Sequence, residues 1–169
     1  MDTDYIIPLN GPACGKSQYE WVLDKQFFGS FENEEILDAE VVANVIEGKA
    51  GRKVNLDCSL CGHITVACDR CLEPVEMPVK ASFKLALQYD GEESVEEDRE
   101  IIILEDDSLE YDLSQVLYDY SFLALPLQRV HPDGQCNPGT LKYLQGGAET
   151  AGTENEDNPF TALKGMFEN

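Results

Sequence analysis

Apolar and polar positions alternate through most of the first half of the chain, the period of a strand with one buried face. Tyr5-Ile6-Ile7-Pro8-Leu9 reads as a short first strand, and Pro8 confines it to an edge or a strand start. Asn10-Gly11-Pro12 is a turn. Residues 19–24 alternate as a second strand, and Phe27, Phe28 and Phe31 form an aromatic cluster that anchors the loop behind it. Residues 36–47 put Val41, Ala43 and Val45 on one face of a longer strand, and Gly48-Lys49-Ala50-Gly51 turns the chain. Residues 54–58 and 64–67 continue the sheet as separate pieces, punctuated by Cys61-Gly62. Residues 75–89 predict a long strand, broken or bulged near Met77-Pro78, with Phe83, Leu85 and Leu87 on its buried face. Ile101-Ile102-Ile103-Leu104 is a compact β-branched run and the last predicted strand.

The period then changes. Asp112 is a good helix N-cap, Gln115 completes a capping-box pattern, and Leu113, Val116, Leu117, Tyr120 and Ala124 follow at helical spacing until Pro126. Residues 145–158 are rich in Gly, Ala, Thr, Glu and Asn and read as a flexible linker. Phe160, Leu163 and Phe167 recover helical spacing after Asn158-Pro159. The expected fold is α+β: mainly an antiparallel sheet or barrel-like sandwich, with one well-formed helix and a short C-terminal helix. The expected organisation is one β-rich domain over 1–144, the linker over 145–158 and a short helical motif over 159–169.

Composition narrows the function classes. The net charge of −21 argues against a protein that coats nucleic acid by itself, since Lys and Arg supply most non-specific affinity for phosphate. The charge is uneven. Residues 91–112 hold eleven acids against Arg99 alone, whereas residues 51–90 balance five acids against Arg52, Lys53, Arg70, Lys80 and Lys84. The acidic run reads as a solvated loop, and the five cations form a contact patch for RNA if the fold gathers them. The apolar runs fall short of a membrane span, and the first residues lack the basic and apolar regions of a secretory signal. A cytoplasmic setting is therefore expected, in which six cysteines are thiols or metal ligands.

Gly11-Pro12-Ala13-Cys14-Gly15-Lys16-Ser17 resembles a phosphate loop but has three residues between its glycines where four are needed, and a strand rather than a helix follows. Cys68-Asp69-Arg70-Cys71 offers two thiols at C-x-x-C spacing, and His131 with Cys136 offers an H-x4-C pair downstream. Together they suit a structural zinc, four filled positions leaving no place for catalytic water. Cys58 and Cys61 are alternative partners for Cys68 and Cys71 in a two-knuckle site, although the six residues between the pairs make a very tight hairpin. Metal-free thiols are the third reading. In a redox-sensing module Cys68 and Cys71 would themselves react, with Arg70 favouring a thiolate. No set of catalytic residues stands out.

The chain resembles the YceD family, the large ribosomal RNA subunit accumulation proteins. The resemblance is carried by Cys68-Asp69-Arg70-Cys71-Leu72-Glu73, by Leu123-Ala124-Leu125-Pro126-Leu127 with Val130-His131 and Cys136, and by Asn158-Pro159-Phe160-Thr161-Ala162-Leu163. These pieces span nearly the whole chain in the family's order; Cys58 and Cys61 are not among them. The Phe27-Phe28 region and the acidic insertion are similar to the version in Bacteroidetes-type bacteria. The resemblance implies a bacterial, cytoplasmic, non-enzymatic factor in ribosome assembly. Its implied partners are ribosomal proteins, assembly factors or the large-subunit rRNA precursor, with neither membrane nor DNA involved. Asn158, Pro159 and Phe160 join the five cations as its expected contact surface.

Overall fold

A computed structural model describes residues 5–10, 14–89, 98–105 and 108–146. The chain divides into two compact units, residues 1–130 and 131–169. The expected linker beyond Gly146 and the motif over 159–169 lie outside the described residues.

The first unit is built on a five-stranded sheet in the order β2-β3-β4-β5-β6. Its strands are β2 (Cys14–Asp24), β3 (Ile36–Ala50), β4 (Lys53–Ala67), β5 (Pro74–Tyr89) and β6 (Glu100–Leu104). The first four form an antiparallel meander, and β6 runs parallel to β5. A second sheet pairs β1 (Ile6–Pro8) with β7 (Glu110–Asp112), a strand inside the acidic stretch that alternation did not reveal. The architecture is α+β and mostly antiparallel, with an open main sheet rather than a closed barrel among the described residues.

One face of the main sheet is covered. Val41, Ala43 and Val45 of β3, Leu56, Leu60 and Ile64 of β4 and Val79, Leu85 and Leu87 of β5 are at most 1% exposed. Helix α1 (Lys25–Gly29) packs on β3 and brings in Phe27 and Phe28, and α2 (Ser114–Leu123) packs on β5 with Leu117 beneath it. Phe31 stacks on Tyr118 of α2 at 4.4 Å, so the aromatic cluster ties the two helices together. Asp24 caps α1 by accepting a bond from the Phe27 amide, a short helix that the sequence reading took for a loop.

Three expectations are corrected. β2 begins at Cys14 rather than at Tyr19, and Gly15, Lys16 and Ser17 lie in its ladder with β3, in keeping with the reading that they form no phosphate loop. β4 runs unbroken through Cys61-Gly62, because Gly62 admits a close pass of the β3 backbone. β5 keeps its register with β4 through His63↔Pro78. Pro78 is tolerated because β6 pairs only with residues 85–89, leaving that edge of β5 without a β6 partner at the proline. The irregularity lies instead between Ile36 and Asp38 of β3, where one extra residue keeps both Ile36 and Ala39 on the covered face. The expected capping box also fails to form. Asp112 does accept bonds from the Ser114 amide and hydroxyl, but Gln115 turns forward to Asp119.

The described part of the second unit, residues 131–146, holds a turn and α3 (Pro138–Gly146), a helix not anticipated from the sequence.

Candidate metal centre

The C-x-x-C occupies the tight connection from Ala67 at the end of β4 to Pro74 at the start of β5. Two backbone bonds close it: the Cys68 amide donates to the Glu73 carbonyl at 2.8 Å, and the Leu72 amide donates to the Cys68 carbonyl at 2.9 Å. Leu72 takes a left-handed φ of 62° to complete the reversal, a conformation that costs a non-glycine residue about 1–2 kcal/mol. Leu72 is 75% exposed, whereas Cys68 and Cys71 are buried. The turn thus accepts strain and an exposed leucine while both thiols face inward.

Asp69 fastens a second segment to this turn. Its amide donates to the Arg129 carbonyl at 2.8 Å, and its carboxylate accepts from the Arg129 amide at 2.7 Å. The Arg129 guanidinium adds an ion pair with Glu35 at 2.9 Å. In the second unit, the Gln135 amide bonds to the Pro132 carbonyl, and Gly134 supplies the positive φ that reverses the chain. Asn137 caps α3 through the Gly139 amide, and Pro138 is its first residue. Cys136 is held between that turn and that cap, buried, with its Sγ 3.9 Å from His131 Nδ1.

The donor atoms of Cys68, Cys71, His131 and Cys136 all lie within 4.8 Å of one another. A tetrahedral zinc with Zn–S near 2.3 Å and Zn–N near 2.0 Å separates its ligand atoms by about 3.5–3.8 Å. The 4.8 Å limit on the donor separations exceeds that spacing by about 1 Å. Three soft thiols and one imidazole suit zinc and disfavour the hard cations that prefer oxygen. The four donors can hold a metal ion.

The two-knuckle alternative is not assembled. Cys58 and Cys61 lie inside β4 and face opposite sides of the sheet: Cys58 is buried opposite Val45 and Phe83, and Cys61 is exposed opposite Val42 and Lys80. Burial, reinforced by the neighbouring Asp57, pushes the Cys58 thiol up to about 12, so it is protonated and inert. None of the six cysteines is in a disulfide.

The five cations do not form one patch. Arg52 and Lys53 sit at the turn joining β3 to β4, with Arg52 over the Tyr89 ring at 4.3 Å. Arg70 belongs to the C-x-x-C turn at the other end of β4, which at ~3.3 Å per residue is on the order of 40 Å away. Lys80 and Lys84 lie between, exposed on the open face of β5, and Lys84 pairs with Asp98 at 2.6 Å. Asn158, Pro159 and Phe160 lie outside the described residues. Sequence reading missed the Asp69–Arg129 fastening. Its only trace is an acid inside the C-x-x-C and a cation two residues before the histidine.

The family model for the large ribosomal RNA subunit accumulation protein YceD matches residues 47–167, a span that includes all four donors. No curated protein matches the chain, and no solved structure does.

Proposed function

This chain belongs to the YceD family of large ribosomal RNA subunit accumulation proteins, and from that membership we propose a non-enzymatic role in the accumulation of large-subunit rRNA. The observation that carries the reading is the family match across most of the described chain. In this reading the protein works in the bacterial cytoplasm, and its C-x-x-C turn is clamped by a structural zinc on Cys68, Cys71, His131 and Cys136. The zinc cross-links the turn to the following segment; the chain's own part is to present three buried thiols and an oriented imidazole. Asp69 and Arg129 hold the two halves of the clamp in register, as the residues around a metal's ligands commonly do.

The partners follow from charge. A chain of net charge −21, whose five candidate contact cations are spread from one end of β4 to the other, favours basic ribosomal proteins or assembly factors over bare rRNA precursor. A redox role is disfavoured by burial: Cys68, Cys71 and Cys136 are at most 5% exposed, and a sensing thiol must meet its oxidant.

The test is the ratio of large- to small-subunit rRNA in a deletion strain. The ratio falls without the gene and recovers with the wild-type copy. An unchanged ratio refutes the proposal. Affinity capture with and without ribonuclease then separates protein partners, retained after digestion, from RNA partners, which are lost.

A further inference from the structure

We propose that the outer edge of β2 is a self-association surface, on which a second copy of this chain pairs antiparallel with Gln18 opposite its own counterpart. β2 is an end strand of the main sheet, and β3 is its one ladder partner among the described residues. It runs eleven residues in unbroken register with β3, so no bulge turns its outer amides and carbonyls away. The opposite edge, β6, is only five residues long and offers a much shorter template.

The side chains of β2 select the register. Tyr19 and Trp21 are opposite the buried Val45 and Ala43, which puts odd-numbered residues on the covered face and Lys16, Gln18 and Glu20 on the open one. Within the chain Lys16 is opposite Gly48 and Glu20 is opposite Asn44, so neither meets an opposite charge across the ladder. They are four residues apart, about 13 Å along a strand, too far to reach each other well. Antiparallel pairing about Gln18 places Lys16 of each copy opposite Glu20 of the other, giving two cross-strand ion pairs. The same register sets Trp21 over Gly15, Tyr19 beside Ser17, and the half-exposed Val22 against Cys14. Pairing about Glu20 would match Lys16 with Asp24 but set Glu20 against its own counterpart at the centre, and pairing about Tyr19 would set Lys16 against Val22. Only the Gln18 register satisfies the charges.

Lysine on an edge strand is also a common guard against such pairing, and the experiment decides between guard and contact. The full chain is followed by sedimentation equilibrium over a concentration series, together with Lys16→Glu, Glu20→Lys and the double variant. Both positions are exposed, so the fold survives the changes, and far-UV circular dichroism confirms it. The expected result is a concentration-dependent dimer, weakened about tenfold or more by either single reversal and restored by the double. A chain that stays monomeric throughout overturns the proposal. So does a dimer indifferent to Lys16→Glu, or one that the double reversal fails to restore.

Discussion

Gly62→Ala tests the close approach of β3 and β4 that carries the chain to its C-x-x-C turn. A Cβ on Gly62 would sit 2.1 Å from the Glu40 carbonyl oxygen and 2.7 Å from the Val41 Cα. Both are backbone atoms of a central strand, so no side-chain rotation relieves the clash. Ordinary carbon–oxygen contact needs roughly another 1 Å, and gaining it means prising β3 from β4 at the Val41↔Gly62 pair. Overpacking of this kind costs about 1–3 kcal/mol, and weakening one or two ladder bonds adds about 1 kcal/mol each. The lower chain entropy of alanine when unfolded returns about 0.4–1 kcal/mol. The expected net loss is about 3 kcal/mol. Gly48→Ala is the matched control on β3, because its nearest atom, the Asn55 carbonyl oxygen, is 3.9 Å from the added carbon. Trp21 is the only tryptophan and sits on β2, so its fluorescence in a urea titration reports directly on this sheet. A loss below about 1 kcal/mol for Gly62→Ala, or equal losses for the two variants, refutes the steric argument.

The remaining predictions concern the thiols and the turn. In native protein loaded with zinc, a chromogenic disulfide reagent titrates Cys14 and Cys61, the two exposed cysteines. Adding a chelator makes Cys68, Cys71 and Cys136 reactive while Cys58 stays silent, and reactivity unchanged by chelation contradicts the clamp. Stability falls on the alkaline side. The Cys58 thiol is held protonated to about 12 when folded and ionises near 9 when unfolded, so its contribution is intact below pH 9 and lost between about pH 9 and 12. The slope is about 1.4 kcal/mol per pH unit, and Cys58→Ala removes that part of the pH dependence in urea melts at stepped pH. Tyr120, raised to about 12 by its hydrogen bond to Glu100, adds loss in the same direction, which Tyr120→Phe separates. Leu72→Gly relieves the positive φ and, with little buried area to lose, raises stability by about 0.5–1 kcal/mol in thermal or urea melts; a destabilised variant shows that the leucine is packed.

The parts of this protein that were legible in the sequence are those whose causes are local. Period-two alternation located β3 and β5 because one face of each is buried along most of its length. Alternation failed where a long-range partner decides. β6 lies parallel to β5, a relation that no pattern within five residues encodes. Gly62 looked like punctuation because glycine is usually a breaker, yet here it permits contact with Glu40 and Val41 of β3, far earlier in the chain. Pro78 looked like a bulge because a central strand cannot spare an amide, and the reach of β6 was needed to see that this stretch is locally an edge. The same division runs through the candidate site. C-x-x-C spacing is a local signal and put Cys68 and Cys71 in one turn. The set that adds His131 and Cys136 has no such local signal, and neither has the contact beside the turn between Asp69 and Arg129, two ordinary charged residues sixty positions apart whose main chains meet. That pair makes the clamp separable into two steps. Asp69→Ala removes the side-chain half of the fastening and leaves all four donors in place, so it lowers zinc affinity by about 10–100-fold without abolishing binding. Cys71→Ser removes a ligand and costs far more. Competition with a chromophoric chelator ranks the two variants. If Asp69→Ala binds as tightly as the wild type, the four donors gather without the strap, and the metal itself does the assembling.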